Sequence, residues 1–559
     1  MTKKMNLIHI VFICAFLVLI TTAEASTLFK HKQSRAFRQS AATASGKTLY
    51  IDTYSADLTI TAGDENAVSV EGVVEVSDED KEVVQFFVDE TQLVLEPYAD
   101  GLRLRLISPM DELRKRGKPP KEGIYRRFYK GNKFVFKLSY SARLSIRIPA
   151  HQSLQIENAY GDIQIGGING ELSITNRSGK VRLDSCAGKL KLRNSYDLVK
   201  IPGFKGPVDI SNPSGEVSLE AIEGDVRIEN SYEPVHFGAI KGKLIINSKS
   251  SEIKGGNVTG DCEITSSYEK IDVRDVIGKL TIKAPSSKVI ADNISKEAWI
   301  ENSYNPLSVT KVGGGLRVLS SSSAITADDI GGDAFIRSSY ENIGVSRIRG
   351  SVEIESPSSQ ISARDIVGNT TIVSSYESVT VSDVGGWLDV RSQSAAVKVS
   401  SIKKNTSVVT SYERIEVAGI GGDLKIDGSS SSVLAEDVSG DVSIKNSYES
   451  VVLRRTSGSI KVHGNSSRIE VEQIENLPKE GRIELLTTYE PVTLILPKDA
   501  DVVISVPAGG KISSDFPVYH EKSQTKSLKG ALTRGSVSIR IETSGTINIK
   551  SSRMTLKNK

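Results

Sequence analysis

Tyrosines stand at Tyr160, Tyr196, Tyr232, Tyr268, Tyr304, Tyr340, Tyr376, Tyr412 and Tyr448, each 36 residues after the last. Carboxylates follow many of them, as in Asn230-Ser231-Tyr232-Glu233 and Ser338-Ser339-Tyr340-Glu341. A ring beside a carboxylate and hydroxyls can stack on a sugar while its neighbours take the sugar's hydroxyl groups, and a regular row would hold a linear polysaccharide through many weak contacts. The candidate ladder is Tyr232, Glu233, Tyr268, Glu269, Tyr340, Glu341, Tyr376, Glu377, Tyr412, Glu413, Tyr448 and Glu449. The same tyrosines have a plainer use: each could lie over the small serine of a neighbouring rung and close a corner, its hydroxyl bonded to backbone. A second candidate is basic. Arg114, Lys115, Arg116 and Lys118, then Arg126, Arg127 and Lys130, are interleaved with Pro119, Pro120, Tyr125, Phe128 and Tyr129. Such a run suits an anionic polymer or lipid headgroup with salt-sensitive affinity; its alternative is a solvated hairpin loop.

The elements that must position these residues follow from a shorter period. Midway between the tyrosines stand serines, from Ser178, Ser214 and Ser250 to Ser466, so the structural unit is 18 residues. With the Tyr or Ser as position zero, position three is aliphatic in every unit, from Ile163 to Ile469. Positions five, eight, twelve and fourteen are mostly apolar as well. Apolar residues two apart predict two short strands per unit, each with one face inward. Two strands cannot bury those faces alone, whereas stacked units pair every strand with its copy above and below. The expected fold is therefore all-β, a parallel β-solenoid of 18-residue coils, about 85 Å long at about 4.8 Å per rung. Position ten is glycine in most units, as in Gly206 and Gly224, and is expected to turn the chain with positive φ.

Regularity fails at both ends, which are expected to be irregular β caps that cover the open sheet edges of the solenoid. Leu49, Ile51, Leu58 and Ile60 repeat the nine-residue offset of paired strands before residues 71–140 interrupt it. After Ile474 about five extra residues intervene, since Tyr489 lies 41 after Tyr448. The expected organisation is a signal peptide over 1–25, an N-terminal β cap over 26–150 with an inserted basic loop near 101–135, repeats over 151–483, and a closing β module over 484–559. The signal reads from Lys3 and Lys4, the apolar run Ile10 to Ile20, and Ala23-Glu24-Ala25 before Ser26. Eleven apolar residues are too few to span a bilayer, which takes about 20. Export follows as the expectation, to the periplasm, the cell surface or the medium, with no transmembrane segment once the signal is cleaved.

Composition and spacing bear on the function class. The 559 residues are 38% hydrophobic but only 6% aromatic, which suits a core of small aliphatic side chains. Lys plus Arg number 71 and Asp plus Glu 68, a balance that gives no reason to expect nucleic acid as a partner. The rival class is a polysaccharide-acting β-helix enzyme, a lyase or hydrolase. Such enzymes gather acids in a cleft built by long loops, and uninterrupted 18-residue units leave no room for one. The recurring Asp225, Asp261, Asp333, Asp423 and Asp441 at position eleven share their column with Lys189, Lys243 and Lys279, as a solvated edge of mixed charge does. No metal or cofactor is expected: Gly-Gly-Asp is scattered rather than periodic, His236 and His463 are isolated, and Cys186 and Cys262 suit buried thiols.

Two stretches carry a family resemblance. Residues Gly509-Gly510-Lys511-Ile512-Ser513-Ser514-Asp515-Phe516, Leu528-Lys529-Gly530 and Ser536-Val537-Ser538-Ile539-Arg540-Ile541 resemble the closing module of the putative adhesin family, bacterial exported proteins of repeated β-strands. Ser145-Ile146-Arg147-Ile148-Pro149-Ala150, with Gly161-Asp162-Ile163, resembles the start of its repeats. The resemblance implies a β-solenoid on or outside the envelope with an adhesive or scaffolding role. Its partners would be a polysaccharide or envelope surface polymer, or other proteins.

Overall fold

The computed structural model describes residues 30–44, 46–64, 66–115, 123–130, 133–134, 138–472, 481–498, 500, 502–506, 510–516, 528–531 and 537–552. The leader at 1–25 and Cys14 lie outside the described residues. The fold is nearly all strand and forms two compact units, Met1–Ala187 and Gly188–Lys559.

In the first unit, β1 (His31–Ala42), β2 (Thr48–Asp52), β3 (Asp57–Ala62) and β4 (Ala67–Asp78) precede α1 (Lys81–Glu90). A hairpin of β5 (Gln92–Tyr98) and β6 (Gly101–Ile107) follows, then α2 (Pro109–Lys115), a 3-10 turn at Ile124–Phe128 and the ribbon of β7 (Tyr129–Lys130) with β8 (Lys133–Phe134). Long β9 (Ser139–Ile148) and β10 (Ser153–Tyr160) lead into the repeats. The early apolar pairs belong to a solenoid coil: Leu49 in β2 faces Leu102 of β6 and Leu154 of β10, while Leu58 in β3 faces Leu144 of β9 and Ile163. Residues 101–107 are thus sheet rather than loop. β4 runs antiparallel to both β1 and β9. The cap is not purely β. Helix α1 buries Val83, Val84, Phe87 and Val88 and is capped by Asp80, whose side chain accepts from the Glu82 N–H at 2.9 Å.

In the second unit each coil gives one strand to each of two parallel sheets. Val235–Ile240 pairs with Ile253–Val258, and Leu244–Asn247 with Cys262–Thr265, always 18 residues on. Positions three, five, eight, twelve and fourteen supply the core: Val289, Ala291, Ile294, Ala298 and Ile300 are all at most 1% exposed. The 18-residue spacing is what keeps these columns stacked, since a slip of one residue would turn each of them to solvent.

The turning device differs from expectation. Among the position-ten glycines of this unit, φ is positive only at Gly188 and Gly206. Elsewhere glycine is required by close approach: a Cβ on Gly278 would sit 2.2 Å from the Gly260 carbonyl oxygen, and one on Gly458 2.2 Å from that of Gly440. The left-handed residue is at position seven instead, at Asn257, Asp275, Asn293, Lys311, Asp329, Arg347, Asp365 and onward to Arg455, with φ of 51–60° at these non-glycine positions. It makes no ladder pair, so the strand bends there, and position eight faces inward like position five although it is three residues on. That bend explains why the apolar positions read three, five and eight. Asp and Asn dominate the column because they tolerate this conformation best after glycine.

The far end closes out of sequence order. Beyond residues 473–480, which lie outside the description, register resumes as Ile460 against Ile483 and Ile469 against Val492. The next coil in space is the last in sequence. Arg482–Leu486 pairs with Val537–Glu542, and Val492–Leu496 with Ile547–Ser551. Val502–Val506 and Ile512–Ser514 then stack on the other side of that final coil, and Leu528–Ala531 adds antiparallel to Val502–Val506. An antiparallel strand laid on a solenoid edge uses the N–H and C=O groups that would otherwise template another chain.

Candidate functional site

The corner that carries the tyrosines is built on small buried polar side chains. At position sixteen, two residues before each Tyr or Ser, stand Asn194, Asn212, Asn230, Ser266, Asn302, Ser338, Thr410 and Asn446, all at most 5% exposed. Asn230 Nδ2 donates to the Gly215 carbonyl at 2.9 Å, while its Oδ1 accepts from the Tyr232 N–H at 3.1 Å and from Ser251 Oγ at 2.8 Å. Asn446 likewise donates to Ser431 O and Glu449 O, each at 2.9 Å. These bonds hold the backbone on both sides of the tyrosine while its side chain points away from the core.

The rings themselves are exposed. Tyr196, Tyr232, Tyr268, Tyr304, Tyr340, Tyr376, Tyr412 and Tyr448 are 59–72% accessible, and Glu233, Glu269, Glu341, Glu377, Glu413 and Glu449 beside them are exposed as well. Among the described residues none of these tyrosine hydroxyls makes a hydrogen bond, so the rings do not close the corner in the way the plainer reading expects; Asn230, Asn302, Thr410 and Asn446 beneath bond to the backbone instead. The row has a further member. Pairing of Ile469 with Val492 puts Tyr489 directly after Ser466 in the stack, two coils beyond Tyr448, and it is 70% exposed. Its sequence offset of 41 hid this, although the motif Thr488-Tyr489-Glu490-Pro491 is a visible signal. At about 4.8 Å per coil the rings repeat about every 9.6 Å.

The basic run is divided. Arg116 and Lys118 lie outside the described residues, and of Arg114, Lys115 and Lys130 only the backbone is described, in α2 and β7. Arg126 is half-buried and partnered. Arg127 pairs with Glu82 at 2.6 Å and with Asp80, clasping the start of α1; its hydrogen bond to Glu82 is the main reason its proton is held more tightly than usual. Phe128 and Tyr125 pack on Phe87 and Phe86 of the same helix. Part of the run therefore fastens α1.

The remaining sequence candidates have structural partners. The position-eleven aspartates accept backbone N–H groups of the next coil: Asp225 from Lys243 at 2.8 Å, Asp261 from Lys279 at 2.9 Å and Asp333 from Ser351 at 2.7 Å. His463 Nε2 lies 2.7 Å from Glu484, and this bond chiefly holds the Glu484 carboxyl below its ordinary range. Cys186 and Cys262 are free and buried. No group of three His, Cys, Asp or Glu able to hold a metal occurs among the described residues, and none of their helices is long and apolar enough to cross a membrane.

No family model matches this chain, and no curated protein does. Two solved structures are similar to it. A putative cell adhesion protein from Clostridium sporogenes is 9% identical over 93% of this chain and 100% of that one, with a TM-score of 0.12. A putative lipid binding protein from Parabacteroides distasonis is 11% identical over 80% of this chain and 98% of that one, with a TM-score of 0.12. Likeness at that level transfers no function.

Proposed function

We propose that the protein is an exported, non-enzymatic β-solenoid of the adhesin or scaffold type, which binds a cell-envelope or extracellular polymer along its tyrosine corner. One observation supports this reading above the others: the rings stay 59–72% exposed in a regular row, on a corner that buried asparagines such as Asn230 and Asn446 hold from beneath. Exposed rings in a fixed row cost solvation without contributing to the core, and a ligand spanning several coils would recover it through repeated contacts. Export rests on the leader pattern at 1–25 and on the family resemblance.

Binding of the mature chain, residues 26–559, to a polysaccharide array at low and high salt tests this. Binding that survives salt and weakens about tenfold in the Tyr268→Ala/Tyr340→Ala double variant is the expected result, given about 0.5–1.5 kcal/mol per aromatic contact. Binding abolished by salt would move the site to the basic run from Arg114 to Lys130. Shortening of any polymer on the array would replace the scaffold reading with the enzymatic one.

A further inference from the structure

Both tryptophans of the chain lie on one groove, away from the tyrosine corner. Trp299, Arg317, Phe335 and Glu353 are consecutive partners at position thirteen of the second sheet, and Trp387 lines the same groove from position eleven of a later coil. This column faces outward: its strand neighbours Ala298 and Ile300 are 1% and 0% exposed, whereas Trp299 is 41% and Trp387 42% exposed. The fold does not ask for rings here. Other coils of the second unit place Lys191, Asp209, Arg227, Glu263, Thr281, Ser407, Lys425, Ser443 and Lys461 at position thirteen, all compatible with the same sheet. Apart from Ile245 the rest of the column is polar, and aromatic side chains confined to one stretch of it point to a ligand rather than to packing.

We infer that this groove is a second binding site, for an uncharged linear glycan. The chemistry follows from three features. First, the rings are held by cations: the Arg317 and Arg337 guanidinium groups lie 4.4 Å and 5.7 Å from the Phe335 ring centre, and the Lys283 ammonium 5.7 Å from that of Trp299. The single cation on Trp299 leaves its opposite face for the C–H face of a sugar. Second, the groove is an open channel of about 500 Å³ along the stack, not an enclosed pocket. The coil of Trp387 begins at Tyr376, 90 residues after Ser286 opens that of Trp299, which is five coils of 18. Five coils span about 24 Å at about 4.8 Å each. One coil is close to the length of a single hexose in an extended glycan, so successive sugars would meet successive coils in register. Third, the carboxylates of Glu297, Asp333 and Glu353 are matched by Lys279, paired with Glu297 at 3.4 Å, and by Lys283 and Arg317 on the rings, so the groove has no excess of one sign to select a charged polymer, while Glu353 offers acceptors to sugar hydroxyls.

The two tryptophans make intrinsic fluorescence a reporter confined to this groove. Titration of the mature chain with cellohexaose, chitohexaose and maltohexaose should give a saturable spectral change with at least one of them. Trp299→Ala should weaken that binding at least tenfold, as read from Trp387, and Trp387→Ala likewise as read from Trp299. Both residues are surface-exposed, and an unchanged melting temperature would show that the variants are folded. The Tyr268→Ala/Tyr340→Ala variant should leave the titration unaltered, so failure of the tyrosine reading and failure of this one are separable. Absence of a saturable change with all three probes, equal affinity in Trp299→Ala, or tighter binding of an oligogalacturonate than of the neutral probes would each overturn the inference.

Discussion

At the scale of single residues, burial settles what each reactive group can do. Cys262 sits at position twelve between Leu244 and Leu280, fully buried, and desolvation pushes its thiol up to about 12. The thiolate is the reactive form, so at pH 8 the folded protein should leave Cys262 unlabelled by a thiol reagent, while the same reagent labels it fully in denaturant. Appreciable labelling of the native chain would show that the coil opens. Asp272 illustrates the outward face. Its side chain is 5% exposed; burial opposes its charge, yet hydrogen bonds from Arg274 at 2.9 Å and Lys270 at 2.8 Å prevail and keep the carboxyl below its usual range. The stability this contributes is present above the unfolded carboxylate value, about 3.9, and disappears as pH falls through the lower folded value.

At the scale of the coil, backbone conformation at two positions sets the cross-section. Lys311 adopts φ 54° with its side chain exposed, a conformation that costs a non-glycine residue about 1 kcal/mol. Lys311→Gly should raise the melting temperature, and Lys311→Val should lower it, because a β-branched side chain fits the left-handed region worst. At position ten the demand is for space. Gly278→Ala should destabilise by about 3 kcal/mol, since its Cβ would meet the rigid Gly260 carbonyl at 2.2 Å. A denaturant titration that ranked Gly278→Ala as milder than Lys311→Val would contradict this division of roles. The outward ladders are electrostatically matched as well: Arg454 lies 3.1 Å from both Glu436 and Glu472, one coil to either side.

At the scale of the whole molecule, the second unit depends on its own last strands. Because Val537–Glu542 and Ile547–Ser551 lie between the coil of residues 482–496 and that of residues 502–514, they act as a core layer, not as a dispensable tail. A chain ending at residue 536 should lose that layer and expose the edges of Arg482–Leu486 and Val492–Leu496, so it should form larger species than the intact chain in size-exclusion chromatography with light scattering. A truncated chain that eluted as the intact one does would refute the intercalated order. In such a stack each coil stabilises its neighbours, so damage at one end propagates through nearest-neighbour contacts rather than unfolding every coil at once.

The coil itself was legible in the amino-acid sequence. The period of 18, the inward columns and the pairing of each strand with its copy follow from side-chain polarity, which repeats locally and needs no distant information. The tyrosine row was legible for the same reason. Its exposure was not, because whether a ring covers a corner or leaves it depends on which groups satisfy the backbone beneath, and Asn230 and Asn446 do so across coils. The bend at position seven was written as an Asp and Asn column, yet only the backbone distinguishes a left-handed residue from a solvated charge. Helix α1 and the placing of residues 537–551 ahead of residues 502–514 were decided by tertiary structure alone, and the place of Tyr489 in the row, signalled by Thr488-Tyr489-Glu490-Pro491, was fixed by the pairing of Ile469 with Val492. Each lies where the repeat stops, and without a repeat the partner of a strand is chosen by long-range packing that no local pattern records.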